Sequence, residues 1–134
     1  DLMSASLFSL KENTLQKKVG SITAIIDCKE GFCIAAGEEK TLNIRILNNV
    51  KAYGNLPHTT RIKLWLPDGF TADKTDVDIF APHWTPFTLD CISEEKEIKL
   101  KAGETVHALN EILVEISVLD SYAREFIPII FVAE

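Results

Sequence analysis

The stretch Ile62-Lys63-Leu64-Trp65-Leu66-Pro67-Asp68-Gly69-Phe70 carries the signal that decides the fold. Ile62, Leu64 and Leu66 alternate with Lys63 and Trp65, the period-two pattern of a strand with one face on a core. Pro67 has no N–H to give to a ladder, and Asp68 and Gly69 supply turn chemistry. Phe70 then resumes the chain with a large apolar ring. The stretch predicts a strand that stops at a sharp corner, with Phe70 turned into a core and Trp65 on the opposite face.

The same grammar recurs along the chain. In 41–47, Leu42, Ile44 and Ile46 alternate with Thr41, Asn43 and Arg45. In 111–118, Ile112, Val114, Ile116 and Val118 alternate with Glu111, Glu115 and Ser117. Less regular strands are expected at 21–27, 86–93, 97–101 and 125–132. The last of these is apolar on both faces, and its Pro128 predicts an edge position or a bulge. Ala36-Gly37-Glu38 and Ala102-Gly103-Glu104 each stand between a strand end and the next strand. Both glycines are free to take positive φ, where a Cβ would be strained.

Seven to nine short strands with turn signals at this spacing predict an all-β chain folded as an antiparallel β-sandwich, with a barrel as the alternative. Helix is expected only near the amino terminus. There Leu7, Leu10 and Leu15 are loosely periodic and allow one short helix. The expected division is a lead-in, or the tail of a preceding domain, over 1–18 and the sandwich over 19–134.

Composition narrows the function classes. The chain has 134 residues, 46% apolar and 25% charged, ordinary values for one globular domain. Fourteen Lys and Arg against twenty Asp and Glu leave a net charge of −6. With no basic cluster, that balance argues against nucleic acid. No apolar run approaches the roughly 18 residues of a membrane span. The first residues lack a basic segment followed by a long apolar core, so no signal peptide is read and a cytoplasmic location is expected. The chain does not begin with Met, which suggests a segment of something longer.

Cys28, Cys33 and Cys91 make an odd count, expected as three reduced thiols, with a Cys28–Cys33 bridge as the other reading. No close pair of further ligands completes a zinc site. Asp68, Asp73, Asp76 and Asp78 form an acidic run that lacks the spacing and glycine of a calcium loop. His58, His83 and His107 are far apart, and neither Cys91 nor Ser93 lies in a nucleophile motif. No catalytic residue, cofactor or metal is therefore expected within the chain.

The order of the pieces "DCKEGFCIAAGEEKTLNIRILNN", "TRIKLWLPDGF" and "EIKLKAGETV" resembles the immunoglobulin-like accessory domains of carbohydrate-active enzymes and related hydrolases. The "IAAGEEK" corner is most similar to the carboxy-terminal sandwich of some bacterial ADP-ribosylglycohydrolase-family proteins. The likeness covers about 22–116 and consists of turn and core motifs, which specify fold better than function. It implies a non-catalytic accessory domain beside a hydrolase domain outside this chain. That family's magnesium-binding aspartate motifs have no counterpart here, so no catalytic residue is carried over.

Two surface elements stand out. Trp65 is expected on the outer face of its strand. The run 78–87, "DIFAPHWTPF", gathers Phe80, Trp84 and Phe87 with Pro82 and Pro86. These rings either plug the end of the core or form an interaction surface. Trp65, Phe80, Trp84 and Phe87 are the candidate contact residues. The expected partner is a neighbouring catalytic domain of the same polypeptide; the alternative is a carbohydrate-binding module that uses an aromatic surface.

Overall fold

The computed structural model describes residues 13–48, 58–81, 92–119 and 122–134. They form ten strands: β1 (Thr14–Val19), β2 (Ile22–Asp27), β3 (Cys33–Ile34), β4 (Glu39–Asn48), β5 (His58–Trp65), β6 (Thr71–Ala72), β7 (Asp76–Ala81), β8 (Lys96–Lys101), β9 (Leu109–Val118) and β10 (Ala123–Ala133). One sheet has the order β1-β2-β4-β8-β6 and the other β3-β10-β9-β5-β7. Neighbours pair antiparallel except β3, which runs parallel to the end of β10. The all-β sandwich expected from the alternating pattern is present, and the described residues contain no helix.

Register explains why the alternation works. Across the second sheet, Ile127 of β10, Val114 of β9 and Leu64 of β5 stand in one row, all buried. Across the first, Ala24 faces Ile46 and Leu42 faces Ile98, again buried. Each aliphatic side chain so enclosed stabilises the fold by roughly 1.5–3 kcal/mol relative to exposure. A slip of one residue in any strand would turn its whole apolar set to water, so burial itself holds the register.

The corner after β5 forms as the sequence predicts. Phe70 N–H donates to the Pro67 carbonyl (3.1 Å), Gly69 sits at φ 87°, and Phe70 is buried. Positive φ at the third residue is the requirement of a type II turn. The two Ala-Gly-Glu corners meet each other. Gly37 N–H donates to the Gly103 carbonyl (2.9 Å), and Ala102 N–H donates to the Glu38 carbonyl (2.9 Å).

Several expectations are corrected. The short helix suggested by Leu7, Leu10 and Leu15 does not extend to Leu15, because Thr14–Val19 is a strand in register with β2, Leu15 facing Ile26. Residues 1–12 lie outside the described residues, and the first sandwich strand begins inside the stretch expected as lead-in. Gly37 has positive φ (73°), but Gly103 does not; Gly103 is required by close contact with Gly69 instead. The acidic run holds an unexpected strand, β7, because Val77 and Ile79 alternate with Asp76, Asp78 and Phe80. The strand expected at 86–93 falls mostly on 82–91, outside the described residues. Of its remainder, Ile92 makes a single bridge to Leu47.

Pro128 sits where its missing N–H costs nothing. Val132 N–H points away from β9 to the Phe32 carbonyl (3.0 Å), and Pro128 has the same parity, so the position of its nitrogen is on the outer edge of β10. β3 covers only Val132 and Ala133 of that edge.

Candidate interaction face

The outer face of the β10-β9-β5-β7 sheet is built from alternate residues of its strands. One end is apolar: Val132 beside Leu109, then Ile130 beside Glu111, then Pro128, Leu113 and Trp65 in a single cross-strand row. Leu109 is 64% exposed and Val132 and Trp65 are each 49% exposed, while Ile130 is also open to solvent. Contiguous apolar surface of this kind marks a contact more often than scattered single residues do.

The next rows are polar and internally paired. Phe126, Glu115, Lys63 and Asp76 stand in one row, and Arg124, Ser117, Arg61 and Asp78 in the next. The Trp65 indole N–H donates to Glu115 Oε1 (3.0 Å), and Lys63 Nζ lies 4.4 Å above the Trp65 ring. Arg124 Nη1 is 3.6 Å from the other oxygen of Glu115, and its guanidinium stands over Phe126. Arg61 donates twice to Asp78 (2.9 and 3.2 Å). That bidentate hydrogen bond holds the Asp78 carboxyl below its usual pKa and raises Arg61. Trp65 is thus an exposed ring held in one orientation, with its donor already occupied.

Of the four candidate contact residues, Trp65 and Phe80 are exposed on this same face. Phe80 is opposite Thr59, six residues up β5 from Trp65, so the two rings are about 20 Å apart. Phe80 instead borders a cleft of about 390 Å³ with Ile79, Ile92 and Ser93. Trp84 and Phe87 lie outside the described residues. Beside Trp65 in its row stand Leu113 and Pro128, and Leu109, Phe126, Ile130 and Val132 share the face further along. Sequence did not mark them as contacts, and for those of β10 the signal was the run apolar on both faces.

Elsewhere, Ser93 and Asp73 are engaged with backbone groups. Ser93 Oγ accepts from Ile46 N–H (2.8 Å) and donates to the Glu94 carbonyl (2.9 Å), pinning this segment to β4. His107 is exposed, and its backbone N–H goes to Asn110 Oδ1 (2.9 Å). Asp73 accepts from Lys99 N–H (2.9 Å). His83 and Cys91 lie outside the described residues. Among the described residues no group of three His, Cys, Asp or Glu side chains is placed to hold a metal ion. Nor is any helix long and apolar enough to cross a membrane.

Cys28 and Cys33 are free thiols with separate partners. Cys28 Sγ donates to the Gly31 carbonyl (3.3 Å) inside the core, and burial pushes its pKa up. Cys33 Sγ donates to Glu134 Oε1 (3.1 Å), and that bond, together with desolvation, raises its pKa. Near them Lys40 points inward from β4 with its side chain only 4% exposed, 3.6 Å from Glu38. Burial pulls Lys40 down, but Glu38, with Cys33, Glu30 and Glu134 beyond it, outweighs burial and leaves its pKa raised.

No protein-family model matches the chain, and no curated protein matches it. Among solved structures it is similar to a FixG-related protein from Vibrio parahaemolyticus, with a TM-score of 0.57 over 87% of this chain and 99% of that one. Identity is 8%, so the likeness speaks to the sandwich fold and to nothing the neighbour does.

Proposed function

We propose that this sandwich is a non-catalytic accessory domain whose β10-β9-β5 face docks on a neighbouring catalytic domain of the same polypeptide. The observation that carries the reading is the apolar block of Leu109, Leu113, Pro128, Ile130 and Val132, bounded at one end by the Trp65 indole, which Glu115 holds. Aromatic anchors of fixed orientation supply contact area at low entropic cost. The engagement of Ser93 and Asp73 with backbone groups supports the non-catalytic half. The resemblance of the turn motifs to those of ADP-ribosylglycohydrolase-family sandwiches makes a domain of that kind the first partner to test. The free thiols of Cys28 and Cys33 accord with a reducing compartment such as a bacterial cytoplasm.

A sugar platform is the less favoured use of the same face, because Lys63 covers one side of the Trp65 ring. The deciding experiment is hydroxyl-radical footprinting of Trp65, Leu109, Ile130 and Val132 in the isolated chain and in the full-length polypeptide. Protection of these side chains in the longer protein is expected. Equal labelling in both, turnover of ADP-ribosylated substrate by residues 1–134 alone, or glycan binding abolished by Trp65→Ala would overturn the reading.

A further inference from the structure

The apolar block encloses one charge. Glu111 is exposed on β9 directly opposite Ile130, with Leu109 and Leu113 two residues away on its own strand and Pro128 and Val132 diagonal to it on β10. It has no ion pair with any described residue. The cations of this face among the described residues, by contrast, are all engaged: Arg61 with Asp78, Arg124 with Glu115, and Lys63 over the Trp65 ring. Among the described strand residues the face therefore offers no free cation, and it presents one carboxylate without an ion pair, Glu111, at the centre of its apolar part.

We infer that the occupant of this face is a folded protein surface of aliphatic and aromatic side chains that carries one lysine or arginine opposite Glu111. The inference rests on the docking reading above and specifies its partner. A surface that covered Leu109, Leu113 and Ile130 would strip Glu111 of water, and an unpaired carboxylate in such a place is strongly unfavourable unless a cation meets it. Acidic ligands and nucleic acid find repulsion at Glu111 and at Asp76 in place of a free basic group. An extended peptide added at the sheet edge is disfavoured, because Pro128 interrupts the row of donors on β10. Docking is face-on, with Trp65 as the apolar anchor and Glu111 as the residue that selects the partner's charge.

The test uses the full-length polypeptide and hydroxyl-radical labelling of Leu109, Ile130 and Val132, comparing wild type with Glu111→Lys, Glu111→Gln and Trp65→Ala. Each variant is also melted as the isolated chain, where Glu111→Lys is expected to keep the wild-type midpoint because the side chain is exposed. In the full-length protein Glu111→Lys should weaken docking at least about tenfold, returning the three side chains to the labelling of the isolated chain, with Glu111→Gln intermediate. If Glu111→Lys stays protected or gains protection while Trp65→Ala loses it, docking stands and the basic counterpart is wrong. If wild-type labelling is the same in the two proteins, docking and its partner both fall. Protection that rises with the concentration of the isolated chain would assign the face to a second copy and overturn the inference.

Discussion

A Cβ placed on Gly103 would stand 2.8 Å from the Gly69 carbonyl oxygen and 3.1 Å from the Gly69 Cα. The contact is backbone against backbone, so no side chain can swing away. Gly103→Ala is expected to cost about 1–3 kcal/mol, the range of an overpacked core. Gly37 is the contrasting case: a Cβ there meets nothing within 4 Å, and its φ of 73° is the whole constraint. Gly37→Ala should cost about 1 kcal/mol through backbone strain. Urea unfolding of the two variants checks the order; a cost at Gly37 larger than at Gly103 would contradict the packing account.

Asn110 is buried and makes three hydrogen bonds at once. Its Oδ1 accepts from His107 N–H (2.9 Å), and its Nδ2 donates to the carbonyls of His107 (2.8 Å) and Phe131 (3.0 Å). The side chain closes the turn before β9 and ties it to β10. Asn110→Ala should lose about 2–4 kcal/mol by leaving buried backbone groups unpaired. Asn110→Asp should be worse at pH 7, since its carboxylate would face two carbonyl oxygens, and should recover partly as pH falls and the acid protonates. Thermal midpoints of both variants at pH 7 and pH 4.5 give the comparison.

Lys40 and the two nearby thiols make the stability of this domain sensitive to alkali. All three have folded-state pKa values raised above the ordinary ones. A raised value stabilises the fold fully below the group's ordinary pKa, and the contribution disappears as pH climbs through the folded value. Stability should therefore begin to fall from about pH 8.5, where free thiols ionise, and fall further above about pH 10.4, where free lysine does. Lys40→Met should stay within about 1 kcal/mol of wild type at pH 7, because an apolar replacement for a buried charge is often near neutral. That variant should keep the early alkaline loss and lack the later one in urea midpoints measured against pH.

Thiol labelling tests the redox reading. Cys28 is enclosed by the core and Cys33 is half-buried with its thiol on Glu134. Alkylation of the folded chain should modify Cys33 faster than Cys28, and unfolding without reductant should give three labels on the chain's three cysteines. A total of one label would reveal a disulfide and point to an oxidising compartment.

How much of this was legible in the sequence depends on the range of the forces involved. β4, β5 and β9 announce themselves because Leu42, Ile62 and Ile112 begin strict alternations with one buried face. β1 does not: Leu15 is only half-buried, and Thr14–Val19 is a strand because β2 stands beside it. β3 has two residues and exists through pairing with the far end of the chain, so no local pattern could reveal it. The outward position of Trp65 follows from parity alone. Its apolar neighbours follow from register, which sets Leu113 beside Trp65 and Pro128 beside Leu113. The distance between Trp65 and Phe80 likewise awaits the β5–β7 pairing.

The parallel pairing of Cys33 and Ile34 with Val132 and Ala133 has a consequence for how the chain is born. Every strand of the first sheet lies before residue 102, so that sheet can assemble while the remainder is still being synthesised. The second sheet has its central strands, β9 and β10, in the last quarter of the chain, and β3 waits for β10 to arrive. A ribosome paused after β8 would hold one sheet with its inner face, including Ile26, Ile44 and Ile98, open to water. Closure is a late and non-local step, the kind that makes β-sandwiches slow to fold. Nascent chains arrested before β9 are thus expected to engage chaperones, and chains extended far enough for β10 to pair are expected to escape them.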